Sequence, residues 1–590
     1  MSIRSDDLAE LPLDGPSAAV IVDRVNYPDD RAQWVPKHQG PNVFPNFFLF
    51  SRLLRWCYRP NLVAVKDTTF GYTADYTQLL TDVLHLRNVL RQTLPRHVVQ
   101  KLDRDEEVFI NLLGPGGYEF VVGFFALMAL GAVIVPISPD LPPKEATYYA
   151  TKSRACAVLV AQKSVPLARE LESIVRQQHN ESFRAIQITP HIMQKPLDPS
   201  QIQISSDPYF DLNKSGLVIF TSGTSGPPKG GVKRRGFLYD VATSFSDQQG
   251  IKEGDMVLHV LPVHHATGVT VTLIPFLYSG GCIEFRSGGF NVEWTWERIR
   301  QGGLSFFSGV PTIYMRLMAY YEQRLSKLPP QELQEYVNGL NEIRALLCGT
   351  SALPRPLQQK WTKLRGGRAI LTRYGGTEFG NAFTVTPRSQ GVPDGSVGEK
   401  APGIDLKLSN GDEGEVLIRS PILFSKYLFD KEATAKALDA DGYFKTGDIA
   451  RREGKYYFIL GRASIDIIKS GGYKISALDI EREILGLGYV AEAMVVGVED
   501  EEFGQRVAAA LVLQPDNPKA PRDLTLEKLR RDLRGTLAGY KMPTLLRVVD
   551  ELKKNATGKV IKKVLVQELF PPEGHADVQR WVSKKRESRL

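Results

Sequence analysis

The chain has 590 residues, of which 43% are hydrophobic and 24% charged, and its formal net charge is +8. That length exceeds a single hydrophobic core, so at least two domains are expected, and the composition is that of a folded enzyme rather than a disordered or fibrous chain. The positive excess is small and interspersed with acids, without the clustered basic face that nucleic acid requires, so nucleic acid is not an expected partner.

The acidic N-terminus, with Asp6, Asp7 and Glu10, lacks an apolar stretch, so neither a secretory signal nor a typical mitochondrial presequence is expected. Residues 1–45 read as a polar, proline-containing arm without a clear period. From about residue 47 strands and helices alternate: a buried strand at 108–113, an apolar helix at 118–130 and a strand at 133–136. The apolar run from 120 to 136 falls short of the roughly 20 residues of a membrane span, so no transmembrane segment is expected. Further strands at 256–261, 282–285, 304–307 and 345–348 continue a βαβ rhythm that implies largely parallel sheets. Between about 404 and 460 short strands with Gly-Asp turns imply a smaller antiparallel unit. After Gly461-Arg462 the pattern resets to a compact unit with helices at 477–487 and 525–537 and strands at 491–497 and 507–513. Cys57, Cys156, Cys282 and Cys348 lie far apart with no C-x-x-C pair, which excludes a disulfide framework or zinc ribbon and fits a reducing compartment.

Chemistry enters at Thr221-Ser222-Gly223-Thr224-Ser225-Gly226-Pro227-Pro228-Lys229-Gly230-Gly231, directly after the apolar run 215–220. A strand that opens into hydroxyls, glycines and one lysine suits phosphate: glycine admits the anion, hydroxyls and amides donate to it, and Lys229 supplies charge. Pro228 before Lys229, with no Ser or Thr after it, excludes a Walker loop. Next come Leu261-Pro262-Val263-His264-His265-Ala266-Thr267-Gly268, then Cys348-Gly349-Thr350-Ser351-Ala352-Leu353-Pro354. Arg373-Tyr374-Gly375-Gly376-Thr377-Glu378 follows. In that string a tyrosine can stack on adenine, a threonine can bond phosphate, and a glutamate is a hard oxygen ligand for magnesium. Beyond it lie Tyr443-Phe444-Lys445-Thr446-Gly447-Asp448, the segment from Gly461-Arg462 to Lys469-Ser470-Gly471-Gly472-Tyr473-Lys474, and Asn555-Ala556-Thr557-Gly558-Lys559.

In this order the motifs resemble those of the adenylate-forming superfamily of acyl-CoA synthetases, luciferases and peptide-synthetase adenylation domains, over about residues 46–570. The resemblance implies an α/β fold: a large N-terminal domain of parallel-rich sheets with a small antiparallel unit at 46–461, then a small mobile α+β domain at 462–572. It implies an AMP-forming acid–thiol ligase using ATP, Mg2+ and coenzyme A. The carboxylic acid and Mg-ATP would give an acyl-adenylate and pyrophosphate, and the thiol would then displace AMP.

By the same resemblance Thr221, Ser222, Gly223, Thr224, Ser225, Gly226 and Lys229 hold the phosphates. Gly349, Thr350, Ser351, Arg373, Tyr374, Gly375 and Thr377 line the nucleotide, Asp448 takes the ribose hydroxyls and Arg462 touches the nucleotide. Thr224 and Glu378 would be the metal ligands. Lys559, with Glu378, Thr224 and Lys229, would be catalytic, its ammonium offsetting charge at the transferring phosphoryl group. Lys562 and Lys563 are read as solvated charges. The 469–474 loop, with Lys469, Ser470, Gly471 and Gly472, would meet coenzyme A after the small domain turns. Ser464 stands where the family usually has a pivotal Asp or Lys.

His265 falls at the acyl gate, with a core histidine as the competing reading. Arg316 and Arg373 resemble the arginines of the branch that includes malonyl-CoA synthetases, in which arginine pairs bidentately with a second carboxylate. The His-x-His of some malonate enzymes is His265-Ala266-Thr267 here, so malonate or a short dicarboxylate and a longer or specialised acid both stay open. An adenylation enzyme serving a carrier protein is the nearest alternative; a luciferase-like oxygenase and a catalytically silent binding protein are more distant ones. The 573–590 tail ends in Ser588-Arg589-Leu590, which resembles the peroxisomal Ser-Lys-Leu address and implies the peroxisomal import receptor as a partner.

Overall fold

The computed structural model describes residues 40–581 apart from 179, 208–209, 222–226, 515–522 and 555–558. Two large sheets with helices packed on them form the N-terminal body. The seven-stranded sheet runs in the order 426–427, 229–234, 215–221, 133–137, 109–113, 157–160 and 184–187. It is parallel from Ser215–Thr221 across to Arg184–Gln187, and antiparallel where Lys229–Arg234 folds back on Ser215–Thr221 and where Lys426–Tyr427 joins. The nine-stranded sheet is parallel at its centre, with antiparallel edges at 72–75 and at 380–384 with 399–400.

The helix Tyr118–Leu130 is buried along its whole length. Its sequence carries no polar face because it contributes to the main core together with residues of both large sheets, so neither side meets water. The neighbouring helix Tyr76–Thr93 starts where Asp75 accepts a hydrogen bond from the Gln78 amide at 2.7 Å. The strands Phe109–Leu113 and Val133–Ile137 are continuous apolar runs because both faces of a parallel sheet are covered.

A four-stranded antiparallel unit, 405–408, 413–419, 444–453 and 456–462, encloses its own small core around Phe379, Phe383, Phe424 and Phe444. Beyond Arg462 lies the α+β unit: a sheet around the long hairpin Val490–Asp500 and Gly504–Leu513, with separate apolar clusters on its two faces. The two bodies meet along a polar seam, where a cavity of about 240 Å3 is lined by Asp394, Arg451 and Leu460 on one side and by Asp479, Arg482 and Lys541 on the other. Among the described residues no helix is long and apolar enough to cross a membrane.

Candidate functional site

Strand ends bring the motifs together. The strands Ser215–Thr221 and Lys229–Arg234 pair antiparallel up to Thr221 opposite Lys229, where the Thr221 hydroxyl donates to the Lys229 carbonyl at 3.3 Å. Ser222, Gly223, Thr224, Ser225 and Gly226 lie outside the described residues, as do 555–558 and the tail with Ser588, Arg589 and Leu590. A Cβ built on Gly231 would stand 3.5 Å from Thr377 Cγ2, so the turn after Tyr374 lies directly over the strand that leaves the phosphate segment.

Strand Leu371–Gly376 carries Arg373 and Tyr374 beside the parallel strand Ala345–Cys348. The Tyr374 ring stacks on Phe383 and tilts against Phe379, and its hydroxyl donates to Asp448 Oδ2 at 2.7 Å. Asp448 and Arg462 are cross-strand partners, and the Arg462 Nε stands 3.3 Å from Asp448 Oδ1. At the end of Ala345–Cys348, Thr350 adopts φ of +78°, a conformation that strains a β-branched residue and that turns the chain out of the sheet. Gly349 is required by close approach, since a Cβ there would meet Arg373 Cγ at 3.0 Å. Ser351, next in the chain, is exposed.

Arg373 is only 9% exposed. Its Nη2 reaches Ser308 Oγ at a long 3.4 Å and its Nη1 has no hydrogen-bond partner. Burial lowers its pKa, opposed by the nearby Cys348 and Tyr314. Arg316 sits elsewhere: it is on the exposed side of helix Pro311–Gln323, with its guanidinium 5.4 Å from the Phe290 ring centroid. A ring-stacked, solvated arginine is the chemistry that position offers, because Ile313, Tyr314, Leu317 and Met318 take the buried side of the helix.

His264 and His265 face each other with ring centroids 4.4 Å apart. Burial pushes their pKa values down to about 3 and about 4, with each ring's second neighbour, His265 for His264 and Lys559 for His265, pushing the same way. Both are therefore neutral at pH 7, and the His265 Nε2 is buried without a partner. The segment continues into a π-helix, Gly268–Leu273, a form common at functional sites. There Thr272 bonds His259 Nδ1 at 2.7 Å, and burial brings His259 to about 4.

Lys559 is exposed, yet desolvation lowers its pKa, helped by Arg462 and opposed by Asp448 and Glu378. One lysine of the small domain is thus within electrostatic reach of Glu378, Asp448, Arg462 and His265. Lys562 differs from the sequence expectation. It is not a solvated charge: its Nζ pairs with Asp466 at 2.6 Å and Glu481 at 2.7 Å. Burial alone would lower its pKa, but those carboxylates outweigh it and raise the value. Lys563 is exposed.

The 469–474 segment is a β-hairpin, Ile467–Ser470 paired with Tyr473–Ser476. Gly471 and Gly472 have φ of +55° and +84°, as the two central residues of a tight hairpin turn need. Its hydrogen bonds run within its own domain, from the Gly471 amide to the Phe503 carbonyl and from the Lys469 amide to Gln505 Oε1. Two residues beside the site carried no signal in the sequence. Lys233, 1% exposed, donates to the carbonyls of Glu378 at 2.9 Å and Ile422 at 3.0 Å, and burial takes it to about 7. Tyr427 donates to Glu378 Oε1 at 3.0 Å. A strand lysine and an isolated tyrosine become informative only once their distant partners are in place.

The family model for the AMP-binding enzyme matches residues 55–428, and that for the AMP-binding enzyme C-terminal domain matches 479–559. A CoA ligase of Gibberella moniliformis is 32% identical over 575 residues, covering 86% of this chain and 92% of that protein. The mitochondrial malonate–CoA ligase ACSF3 of Xenopus laevis is 33% identical over 505 residues, covering 78% and 83%. ATP-bound MatB from Rhodopseudomonas palustris shares the fold, with a TM-score of 0.74 at 23% identity over 89% of this chain and 99% of that one. The chain belongs to the AMP-binding enzyme family and is an AMP-forming acid–thiol ligase that takes ATP and coenzyme A and works through an acyl-adenylate.

Proposed function

We propose that this ligase activates an acid carrying a second carboxylate, with malonate and other short dicarboxylates as the substrate class, and that Lys559 serves the adenylation step. The observation that carries the substrate reading is Arg373. A guanidinium this buried, with Nη1 unpartnered and only a 3.4 Å contact from Nη2 to the Ser308 hydroxyl, is built for an anion that is not part of the chain. The malonate–CoA ligase relatives support the same class. Thr267, at the second histidine of the His-x-His found in some malonate enzymes, is the departure from that class and favours a longer or specialised acid as the competing reading.

In the adenylation step the acid's oxygen attacks the α-phosphorus and pyrophosphate leaves. Lys229 and the hydroxyls around Thr221 hold phosphate, Asp448 and Arg462 hold the sugar side, and Lys559 balances the charge that builds at the transferring group. Among the described residues no group of three or more His, Cys, Asp or Glu could hold a metal. Glu378 is the candidate carboxylate for a cation carried on the triphosphate, and Thr224 of the same motif set is the second candidate ligand. Mg2+ there would neutralise phosphate charge. The thiol of coenzyme A then displaces AMP, and the hairpin carrying Lys469, Ser470, Gly471 and Gly472 is the candidate contact once the small domain has turned. Ser588-Arg589-Leu590 supports peroxisomal import where it stands at a free carboxyl terminus, and a fluorescent fusion with and without those three residues tests it.

Coenzyme A-dependent AMP formation, measured with malonate, medium-chain, long-chain and aryl acids side by side, tests the substrate class. Malonate or a short dicarboxylate should give the highest kcat/KM. A clear preference for an uncharged chain overturns the reading.

A further inference from the structure

The two charged groups that the reading above assigns to phosphate and metal share one neighbour. Tyr427 lies on the short strand Lys426–Tyr427, which pairs with Lys229–Arg234 so that Tyr427 stands opposite Gly231. Its ring lies under Lys229, whose Nζ is 5.3 Å from the ring centroid, in the geometry of a cation over an aromatic face. Its hydroxyl, at the other end of the same ring, donates to Glu378 Oε1 at 3.0 Å. Tyr427 is itself held: its amide donates to the Thr434 hydroxyl at 2.9 Å, and its ring meets Phe424 edge-on with centroids 4.7 Å apart.

The backbone of Glu378 is fixed as well. Its carbonyl accepts from the Phe424 amide at 2.6 Å and from the buried Lys233 ammonium at 2.9 Å. With the main chain anchored there, the remaining freedom of Glu378 is rotation of its side chain, and the Tyr427 hydroxyl is the group that meets the carboxylate.

We propose that Tyr427 is a positioning residue: one phenol sets the Glu378 carboxylate and the Lys229 ammonium at a fixed separation, matched to a nucleotide that carries a divalent cation on its phosphates. The inference rests on the assignment of Lys229 to phosphate and Glu378 to the cation. It predicts a specific asymmetry. Tyr427→Phe keeps the ring under Lys229 and removes only the hydroxyl, so ATP without metal should bind almost as before while Mg-ATP loses its oriented carboxylate.

The test is calorimetric titration of the full chain, without acid or coenzyme A, by ATP with excess Mg2+ and by ATP with EDTA. Tyr427→Phe should weaken Mg-ATP about tenfold, the size of losing one hydrogen bond to a charged group, and metal-free ATP less than twofold. Equal weakening of both forms, with a lower thermal midpoint, would mark general damage and overturn the proposal. So would unchanged affinity for both. Glu378→Gln, titrated in parallel, separates the two levels. If it weakens Mg-ATP while Tyr427→Phe does not, the positioning role alone is lost; if Glu378→Gln keeps full Mg-ATP affinity, the assignment of Glu378 falls and the proposal falls with it.

Discussion

Replacing Arg373 by methionine gives opposite signs in two measurements. In the unliganded protein the guanidinium has left water and gained little: a 3.4 Å contact to Ser308 and an empty Nη1. Methionine has a similar length and no charge to desolvate. Exchanges of buried charge for apolar side chains are often neutral or stabilising, so the thermal midpoint of Arg373→Met should stay level or rise. Binding behaves the other way. Truncating one member of a buried, hydrogen-bonded charge pair costs about 2–5 kcal/mol. That corresponds to a fall of roughly 30- to 5,000-fold in kcat/KM for malonate. Monomethyl malonate, in which a methyl ester replaces one carboxylate and removes its charge, should lose less than threefold. The assay is coenzyme A-dependent AMP release with the two acids in parallel, beside a thermal melt. Equal loss for both acids, or a midpoint several degrees lower with both, refutes a recognition role and makes Arg373 a structural residue.

Lys559→Ala should abolish pyrophosphate release from ATP and acid yet still convert a supplied acyl-adenylate to thioester; equal loss of both steps contradicts the assignment. His259, His264 and His265 have folded pKa values near 4, 3 and 4, below the ordinary 6.5. The unfolded chain therefore binds more protons than the native one between about pH 6.5 and 4, and stability must fall as pH drops through that window. From pH 7 to 5.5 the loss should be about 1 kcal/mol per histidine, or about 3 kcal/mol together. Urea unfolding of wild type against His264→Phe checks this, and identical pH slopes for the two would remove His264 from the account. Lys562→Met leaves Asp466 and Glu481 buried without their cation and should cost about 3 kcal/mol at pH 7. Burial already raises the Glu481 pKa, so part of that loss should return as the pH is lowered and the carboxyl takes a proton. A melt unchanged by Lys562→Met at pH 7 would return the lysine to the solvated class.

The sequence was most legible where one local rule governs. The helix Tyr118–Leu130 matches its expected bounds because an unbroken apolar run from Phe120 to Leu130 marks it, and the strands Cys282–Phe285 and Ala345–Cys348 match because they are short, mostly apolar runs. The strand Lys229–Arg234 went unread, since two glycines and three basic residues hide any alternation; only its pairing with Ser215–Thr221 makes it a strand. Asp448, Glu378 and Arg462, each from a separate motif, act electrostatically on Lys559 of another. Lys562 could not be read in the same way, because its partners Asp466 and Glu481 lie 96 and 81 residues back along the chain and no local spacing announces them. Arg316 and Arg373 look alike as letters. One lies on the open side of a helix and the other beneath a strand end, and helix phase separates them only after the opposite face has been filled by Ile313, Tyr314 and Leu317.

The Gly471–Gly472 turn bears on the economy of turnover. A segment that meets its cofactor as a floppy tether must give up backbone freedom at every encounter, about 1–2 kcal/mol per residue fixed. Here the ladder from Ile467 to Ser476 and the tie to Phe503 have already surrendered that freedom when the chain folds. In the proposed second half-reaction the hairpin would meet coenzyme A as a stiff prong, and the entropic toll would not recur with each thioester made.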